Sequence, residues 1–168
     1  MPSLKRILYI WLPPILWLGV IAWESFRLSS NVTGVWLYDL LSAAHLSVSY
    51  PQFEALHHVL RKLGHFAGYG LLTLLFYRAW FYTLRAEPSG RRFRLRCAVL
   101  ALTVTLLTAM ADEWHQSFDL SRTGTSRDVA LDMTGGITGQ ILAFGIYASW
   151  RRDFLTTKGT KEIKSEVL

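Results

Sequence analysis

The most reactive group of side chains in the sequence follows directly after a long uncharged segment. Cys97 to Ala111 carries no charge, and the five residues that follow are Asp112, Glu113, Trp114, His115 and Gln116. In a helix, the spacing i, i+3, i+4 places Asp112, His115 and Gln116 on one face. A carboxylate beside an imidazole can exchange protons with a substrate, and carboxylate oxygens can instead bind a divalent cation. Both chemistries stay open, although a single imidazole excludes the zinc-protease motif His-Glu-x-x-His.

A second polar group lies before and within another apolar segment. Lys62, His65 and Tyr69 are three and four residues apart, so they share a helical face. Lys62 and His65 can donate hydrogen bonds to an anion, and the Tyr69 hydroxyl lies about one turn further along. Gly64 and Gly68 form a small-xxx-small pair, which permits close approach of a neighbouring helix. The alternatives are a Lys62 side chain that extends to the membrane interface and a His65 that bonds only a backbone carbonyl.

A third group precedes the last apolar segment. Arg122 and Arg127 flank a short Ser/Thr/Gly turn, and arginine suits bidentate recognition of phosphate or carboxylate. Ser126 and Asp128 are typical of a helix cap and a first-turn acid. Asp132 lies one turn further on and is expected to point into a helix bundle. The small residues that extend its face are Gly136, Gly139 and Ala143. For the charged residues of all three groups, the alternative is a structural ion-pair network.

The elements that must position these groups are apolar helices. The chain is 51% hydrophobic and 14% aromatic, which is too apolar for an ordinary soluble domain. Four apolar segments are each about long enough to cross a bilayer as a helix, and they cover residues 7–23, 63–82, 97–117 and 130–150. The sequence therefore predicts an all-α fold, an integral membrane four-helix bundle formed by residues 1–152. Residues 153–168 are predicted to be a polar cytoplasmic tail.

The long outer loop between the first two spans is predicted to be helical too. Apolar residues at helical spacing indicate a short interfacial helix near residues 32–46. Pro51 is expected to open another helix, with Glu54 in its first turn, that continues into the second span. Adjacent histidines point to different helix faces. His57 and His58 are therefore interpreted as solvated or interfacial side chains rather than as a metal site.

The distribution of positive charge predicts the orientation in the membrane. Of the 18 Lys and Arg residues, twelve fall on the side of the two termini and five on the other, while Arg78 is expected to extend toward the basic side. Both termini are therefore predicted to be cytoplasmic, and the three polar groups share the outward end of the bundle. This topology and contact with anionic lipid account for the net charge of +6, so no nucleic-acid partner is expected.

Taken together, these residues resemble the VanZ-like family of small bacterial membrane proteins, named from teicoplanin resistance. The resemblance covers roughly residues 7–150 and includes the four-span layout. The residues that match the family's motifs are Lys62, His65, Phe66, Asp112, Glu113, His115, Gln116, Arg122, Asp128, Asp132, Gly135 and Gly139. The chain departs from the family where Gly68 replaces a common Glu and where Leu120-Ser121 replaces a common Pro-Gly. The first departure removes a carboxylate from the second span.

The resemblance implies a cell-envelope role in the bacterial cytoplasmic membrane and, for some members, lower susceptibility to lipoglycopeptides. Our leading hypothesis is an outer-leaflet pocket that binds an anionic, phosphorylated lipid or a lipid-linked cell-envelope precursor, and in an enzyme version modifies it. The residues expected to bind the lipid are Lys62, Tyr69, Gln116, Arg122, Arg127 and Asp132. The residues expected to hold a divalent cation or to act in acid–base chemistry are His65, Asp112, Glu113 and His115.

Two other classes of function stay open. A non-catalytic scaffold would present or shield such a lipid without changing it. A transporter is less well supported, because four spans are few unless the chain dimerises and no span is interrupted in mid-membrane. The sequence does not decide whether the chain forms a homo-oligomer.

Overall fold

The computed structural model describes residues 3–27, 30–84, 90–118 and 125–145. Every regular element in these ranges is an α-helix: α1 (Leu4–Arg27), α2 (Ser30–Ala43), α3 (Tyr50–Thr83), α4 (Arg91–Gln116) and α5 (126–145). The predicted all-α class is confirmed, and the described ranges contain no strand. The last five residues of the fourth predicted span and the predicted tail lie outside the described residues.

Two helices are long and apolar enough to cross a membrane. They are Leu4–Ser25 within α1 and Arg91–Gln116, which is all of α4. The first contains the whole of the first predicted span, and the second contains all but the final residue of the third. Many of their large apolar side chains are exposed, among them Ile15, Leu16, Leu107 and Met110. An extensive exposed apolar surface is typical of contact with lipid or with an apolar partner.

The segment between α1 and the second predicted span is helical, as predicted. α2 corresponds to the short helix expected near residues 32–46, and it packs against α3. Because of this contact, the segment is part of the folded structure rather than a linker. Residues of α2 can therefore contribute to a site between the helices.

α3 is one unbroken helix of 34 residues. It begins beside Pro51, as predicted, and continues through the second predicted span, 63–82. The Ser49 backbone N–H donates to Gln52 Oε1 at 3.0 Å and so satisfies a donor that the helix start would leave open. Glu54 lies just beyond the first turn rather than in it. At about 1.5 Å per residue α3 is roughly 51 Å long, which exceeds the roughly 30 Å hydrocarbon thickness of a bilayer.

α3 lies at the centre of the structure and contacts α1, α2 and α4. Trp17 of α1 donates from Nε1 to the Gly68 carbonyl oxygen at 2.9 Å. Between α3 and α4, the hydroxyl oxygens of Thr73 and Thr105 lie 2.8 Å apart. The buried apolar side chains around these contacts include Leu72, Phe76, Ala101 and Ala109. Polar and apolar contacts together hold α1 and α4 against the middle of α3.

Glycine allows α5 to lie directly on α3. A Cβ atom at Gly135 would overlap the Phe66 carbonyl oxygen and lie 2.9 Å from the Phe66 carbonyl carbon. A Cβ atom at Gly139 would lie 3.1 Å from the Gly70 carbonyl oxygen. Backbones that approach this closely leave no room for side chains at the contact. The predicted small-residue face of α5 is confirmed at Gly136 and Gly139.

No helix packs closely against the Cα positions of Gly64 and Gly68 in the described part of the chain. A Cβ atom at either glycine would meet no atom of a described neighbouring element within 4 Å. Both glycines instead line a cavity. The absence of side chains at these two positions therefore keeps space open beside α3.

Candidate functional site

A cavity of about 210 Å³ lies between α1, α2, α3 and α4. Apolar side chains such as Ile21 and Leu37 form part of its wall. Its polar lining comes mostly from α3 and from the end of α4, and includes His57, Arg61, His65, Tyr69, Asp112 and Gln116. The structure thus brings residues of the first two polar groups to one cavity.

The most buried part of the site joins three helices. His65 on α3, Asp112 on α4 and Asp132 on α5 each place one nitrogen or oxygen within 4.8 Å of the other two. His65 Nδ1 lies 3.3 Å from Asp132 Oδ1, and the Tyr69 hydroxyl donates to Asp112 Oδ2 at 3.0 Å. Asp132 is 0% exposed and Asp112 is 8% exposed. We refer to His65, Asp112 and Asp132 as the carboxylate–imidazole cluster.

Several polar atoms of the site are buried without a hydrogen-bond partner among the described residues. They are Asp112 Oδ1, Asp132 Oδ2 and Gln116 Nε2. A buried polar atom without a partner costs about 1–3 kcal/mol, and native proteins keep few such atoms. The site is therefore suited to receive polar atoms from a group other than its own side chains.

Lys62 forms an ion pair with Asp128 of α5. Asp128 also bonds to the residue that caps α5: Thr125 Oγ1 donates to Asp128 Oδ2 at 2.9 Å, and the Asp128 backbone N–H donates to Thr125 Oγ1 at 3.3 Å. The capping residue is thus Thr125, one residue before the predicted Ser126, while Asp128 is the first-turn acid that the sequence indicates. Lys62 therefore has a protein partner where a head-group contact was expected.

Glu113 connects the end of α4 to the start of α5. Its side chain is buried, and Oε2 accepts a hydrogen bond of 2.9 Å from the Thr125 backbone N–H. Successive residues are separated by about 100° around a helix, so Glu113 faces away from Asp112. Of these two acids only Asp112 lines the cavity. Glu113 helps to position the start of α5, which carries Asp132.

The remaining predicted residues lie beside the cavity or beyond it. His115 is half-buried next to Gln116, but it is not among the described residues that line the cavity. Arg127 has an exposed side chain in the first turn of α5. Arg122 lies outside the described residues. In the described part of the chain, His65 rather than His115 is the imidazole beside the carboxylates.

The contribution of α2 and of the first part of α3 to the site was not predicted. His57 is only 9% exposed, and its Nε2 lies 2.8 Å from Thr33 Oγ1 on α2. His57 is therefore not solvated, whereas His58 is exposed as expected. Steps of four, three and four residues connect His57, Arg61, Gly64 and Gly68. The sequence spacing indicates that these residues share a face of α3.

Acidic and basic side chains line the cavity at different heights along the axis of α3. Arg61 lies two turns before Tyr69, which is about 12 Å along the helix axis. Asp112 bonds to Tyr69, and Glu24 of α1 also lines the cavity. An elongated polar group can thus meet a guanidinium at one end and carboxylates with an imidazole at the other. Such a site can bind a head group, exchange protons with it or hold a cation.

Comparison with known protein families gives a match over most of the chain. A family model described as VanZ/LLP1 matches residues 10–148. The matched region contains the whole carboxylate–imidazole cluster, together with α2 to α5 and most of α1. No curated protein and no solved structure matches the sequence.

Proposed function

We propose that this chain, which belongs to the VanZ/LLP1 family, binds an anionic, phosphorylated lipid or a lipid-linked cell-envelope precursor. The family is the one that the sequence motifs indicate, and together with the two apolar helices it supports a membrane protein. The head group of the lipid would occupy the cavity described above. Its acyl chains would lie outside, along the exposed apolar faces of the helices.

The proposed topology has four membrane spans: α1, the part of α3 from residue 63 onward, α4 and α5. Arg91 and Arg96 at the start of α4 are exposed and would face the cytoplasm, together with both termini. The other end of α4, with Asp112, then faces outward. Because α3 is longer than a bilayer is thick, its first part would carry His57 and Arg61 into the head-group region. In this topology the cavity opens at the outer leaflet of the bacterial cytoplasmic membrane.

The observation that supports binding best is a cavity between apolar helices that is lined by buried polar atoms without hydrogen-bond partners. Asp112 Oδ1, Asp132 Oδ2 and Gln116 Nε2 are buried and have no partner among the described residues. Ionisable residues inside membrane segments are costly and mark binding or transport sites by default. A ligand with a polar head and an apolar body suits a polar cavity that is surrounded by exposed apolar surface.

The volume of the cavity limits what can enter it. About 210 Å³ is below the roughly 300–1,000 Å³ of typical small-molecule pockets, so a phosphate-bearing head group fits better than a whole lipid. Arg61 would bind the phosphate through its guanidinium group, while Tyr69 and Gln116 would orient the remainder of the head group.

A second candidate function is chemical modification of the bound lipid. His65 Nδ1 lies 3.3 Å from Asp132 Oδ1, and an imidazole that is oriented by a carboxylate can act as a general base. Asp112 is the third member of the same cluster. An enzyme would produce a changed lipid, whereas a scaffold that only presents the lipid would leave it unchanged.

Native mass spectrometry of the gently extracted protein tests the binding proposal. We expect wild type to retain a phosphorylated lipid and Arg61→Gln to lose most of it. Arg78→Gln is the matched control, because Arg78 lies on the same helix but donates to the Tyr9 carbonyl oxygen at the other end. Equal lipid retention by wild type and Arg61→Gln, or retention of uncharged lipid alone, would refute the proposal.

Incubation with envelope lipid extracts separates the two candidate functions. In the binding-only case, Asp112→Asn weakens lipid retention and no product appears with any variant. In the enzymatic case, wild type forms a new lipid species by mass spectrometry and Asp112→Asn does not. Asp39→Asn, which changes an exposed side chain on α2, is the control. Any effect on teicoplanin susceptibility in cells should follow lipid binding, so Arg61→Gln should lose it.

A further inference from the structure

We infer that His65, Asp112 and Asp132 bind a divalent transition-metal ion, for which Zn²⁺ and Mn²⁺ are the best candidates. One donor atom of each residue lies within 4.8 Å of the other two. The three side chains come from α3, α4 and α5, so the site exists only in the folded helix assembly. The contact of Gly135 with the Phe66 backbone holds α5 in place independently of the cluster.

The charge balance of the cluster favours a cation. Asp132 is 0% exposed and Asp112 is 8% exposed, so both carboxylates are largely shielded from water. One imidazolium can offset only one of them, and an uncompensated buried charge is strongly unfavourable. A divalent ion beside a neutral His65 would balance both carboxylates.

Two carboxylate oxygens of the cluster are available to such an ion. The Tyr69 hydroxyl bonds Asp112 Oδ2, and His65 Nδ1 lies near Asp132 Oδ1. The other oxygens, Asp112 Oδ1 and Asp132 Oδ2, are buried and have no hydrogen-bond partner in the described part of the chain. Metal coordination would satisfy both of them without breaking the bond from Tyr69.

The donor set distinguishes between metal ions. One imidazole nitrogen with two carboxylate oxygens suits Zn²⁺ or Mn²⁺ better than Ca²⁺ or Mg²⁺, which prefer oxygen ligands alone. Zinc bonds of about 2.0–2.2 Å place bound donor atoms roughly 3–3.5 Å apart. Donors that already lie within 4.8 Å of one another can reach this spacing by side-chain rotation. Three protein ligands leave a coordination position open, as in catalytic zinc sites.

The open position gives the ion a role that rests on the proposed lipid-binding function. His65 and Asp112 line the cavity, so a phosphate oxygen of the head group can complete the coordination sphere. Arg61 would contact the same head group from the other end of the cavity. The ion would also explain how a cavity lined by Glu24 and Asp112 accepts an anion.

Metal binding is measured on the full-length protein in detergent, stripped with a chelator and titrated with Zn²⁺ or Mn²⁺ without added lipid. Elemental analysis after desalting is expected to find about one ion per wild-type chain. Asp112→Asn and His65→Gln should each lower the affinity by at least about tenfold. Asp39→Asn and His58→Gln change exposed side chains and should bind the metal as wild type does.

Titration of the wild-type protein with Co²⁺ tests metal binding even if the variants do not fold. Wild type should develop a visible d–d absorption band that Zn²⁺ displaces. Absence of this band, or equal metal retention by wild type, Asp112→Asn and His65→Gln, would overturn the inference. Lipid retention is measured separately by native mass spectrometry. A protein that binds lipid but no metal rejects the ion alone, and a protein that binds metal but no lipid rejects the proposed function alone.

Discussion

Replacement of Gly135 by alanine tests the contact that brings α5, and with it Asp132, to the site. The new Cβ atom would overlap the Phe66 carbonyl oxygen and lie 2.9 Å and 3.0 Å from the Phe66 carbonyl carbon and Cα. All three are backbone atoms, so no side-chain rotation relieves the overlap. α3 and α5 must move apart to accommodate the methyl group.

The expected loss of stability follows from two opposing effects. Over-packing of a well-packed contact costs about 1–3 kcal/mol, and a clash with helix backbone belongs at the upper end of that range. Alanine gains up to about 1 kcal/mol of helix propensity over glycine. We therefore expect Gly135→Ala to lower the free energy of unfolding by about 2 kcal/mol. Gly19→Ala, where a Cβ would meet nothing within 4 Å, should cause no loss.

The assay is unfolding of the purified protein in mixed micelles by increasing sodium dodecyl sulfate, followed by far-UV circular dichroism. Gly135→Ala should unfold at a lower denaturant fraction than wild type, and Gly19→Ala should not. If Gly135→Ala unfolds at the same denaturant fraction as Gly19→Ala and wild type, α5 does not pack on α3 at Phe66. The reasoning that places Asp132 beside His65 would then fail as well.

Three further substitutions probe the cavity and its surroundings. Tyr69→Phe removes the hydroxyl that donates to Asp112 Oδ2, and we expect the same unfolding assay to show a loss of about 1–3 kcal/mol. Tyr50→Phe, at a 76% exposed side chain, should show none. Gly68→Leu places a side chain in the cavity, so native mass spectrometry should find less bound lipid while circular dichroism shows unchanged helix content. Lys62→Met removes a partly exposed ion pair and should change the unfolding free energy by no more than about 1 kcal/mol.

The helices and part of the site could be predicted because their signals are local. Apolar segments and Pro51 indicate α1, α3 and α4 within about six residues of their observed bounds. The spacing of His65 and Tyr69 places them on one face, and both line the cavity. Asp132 lies one turn beyond Asp128 on the face of small residues, which predicts that it points inward, and it is fully buried.

The remaining features depend on which helices meet, and a single sequence does not specify that. The burial of His57 requires Thr33, 24 positions earlier in the chain, on a helix that folds back onto α3. Gly64 is compatible with either close helix packing or open space, and only the course of α1 and α2 decides between them. Lys62 can extend to the interface, bind an anion or pair with Asp128. The placement of α5 on α3 selects the ion pair.

Photo-crosslinking tests most directly whether the cavity binds the head group of a phosphorylated lipid. The protein is placed in nanodiscs with a phospholipid that carries a photoreactive group next to its phosphate, and cross-linked peptides are mapped by mass spectrometry. We predict cross-links to cavity residues of α3 such as Arg61 and His65, which Gly68→Leu abolishes. Cross-links confined to the outer apolar faces, at residues such as Leu107, and unchanged in Gly68→Leu would contradict binding in the cavity.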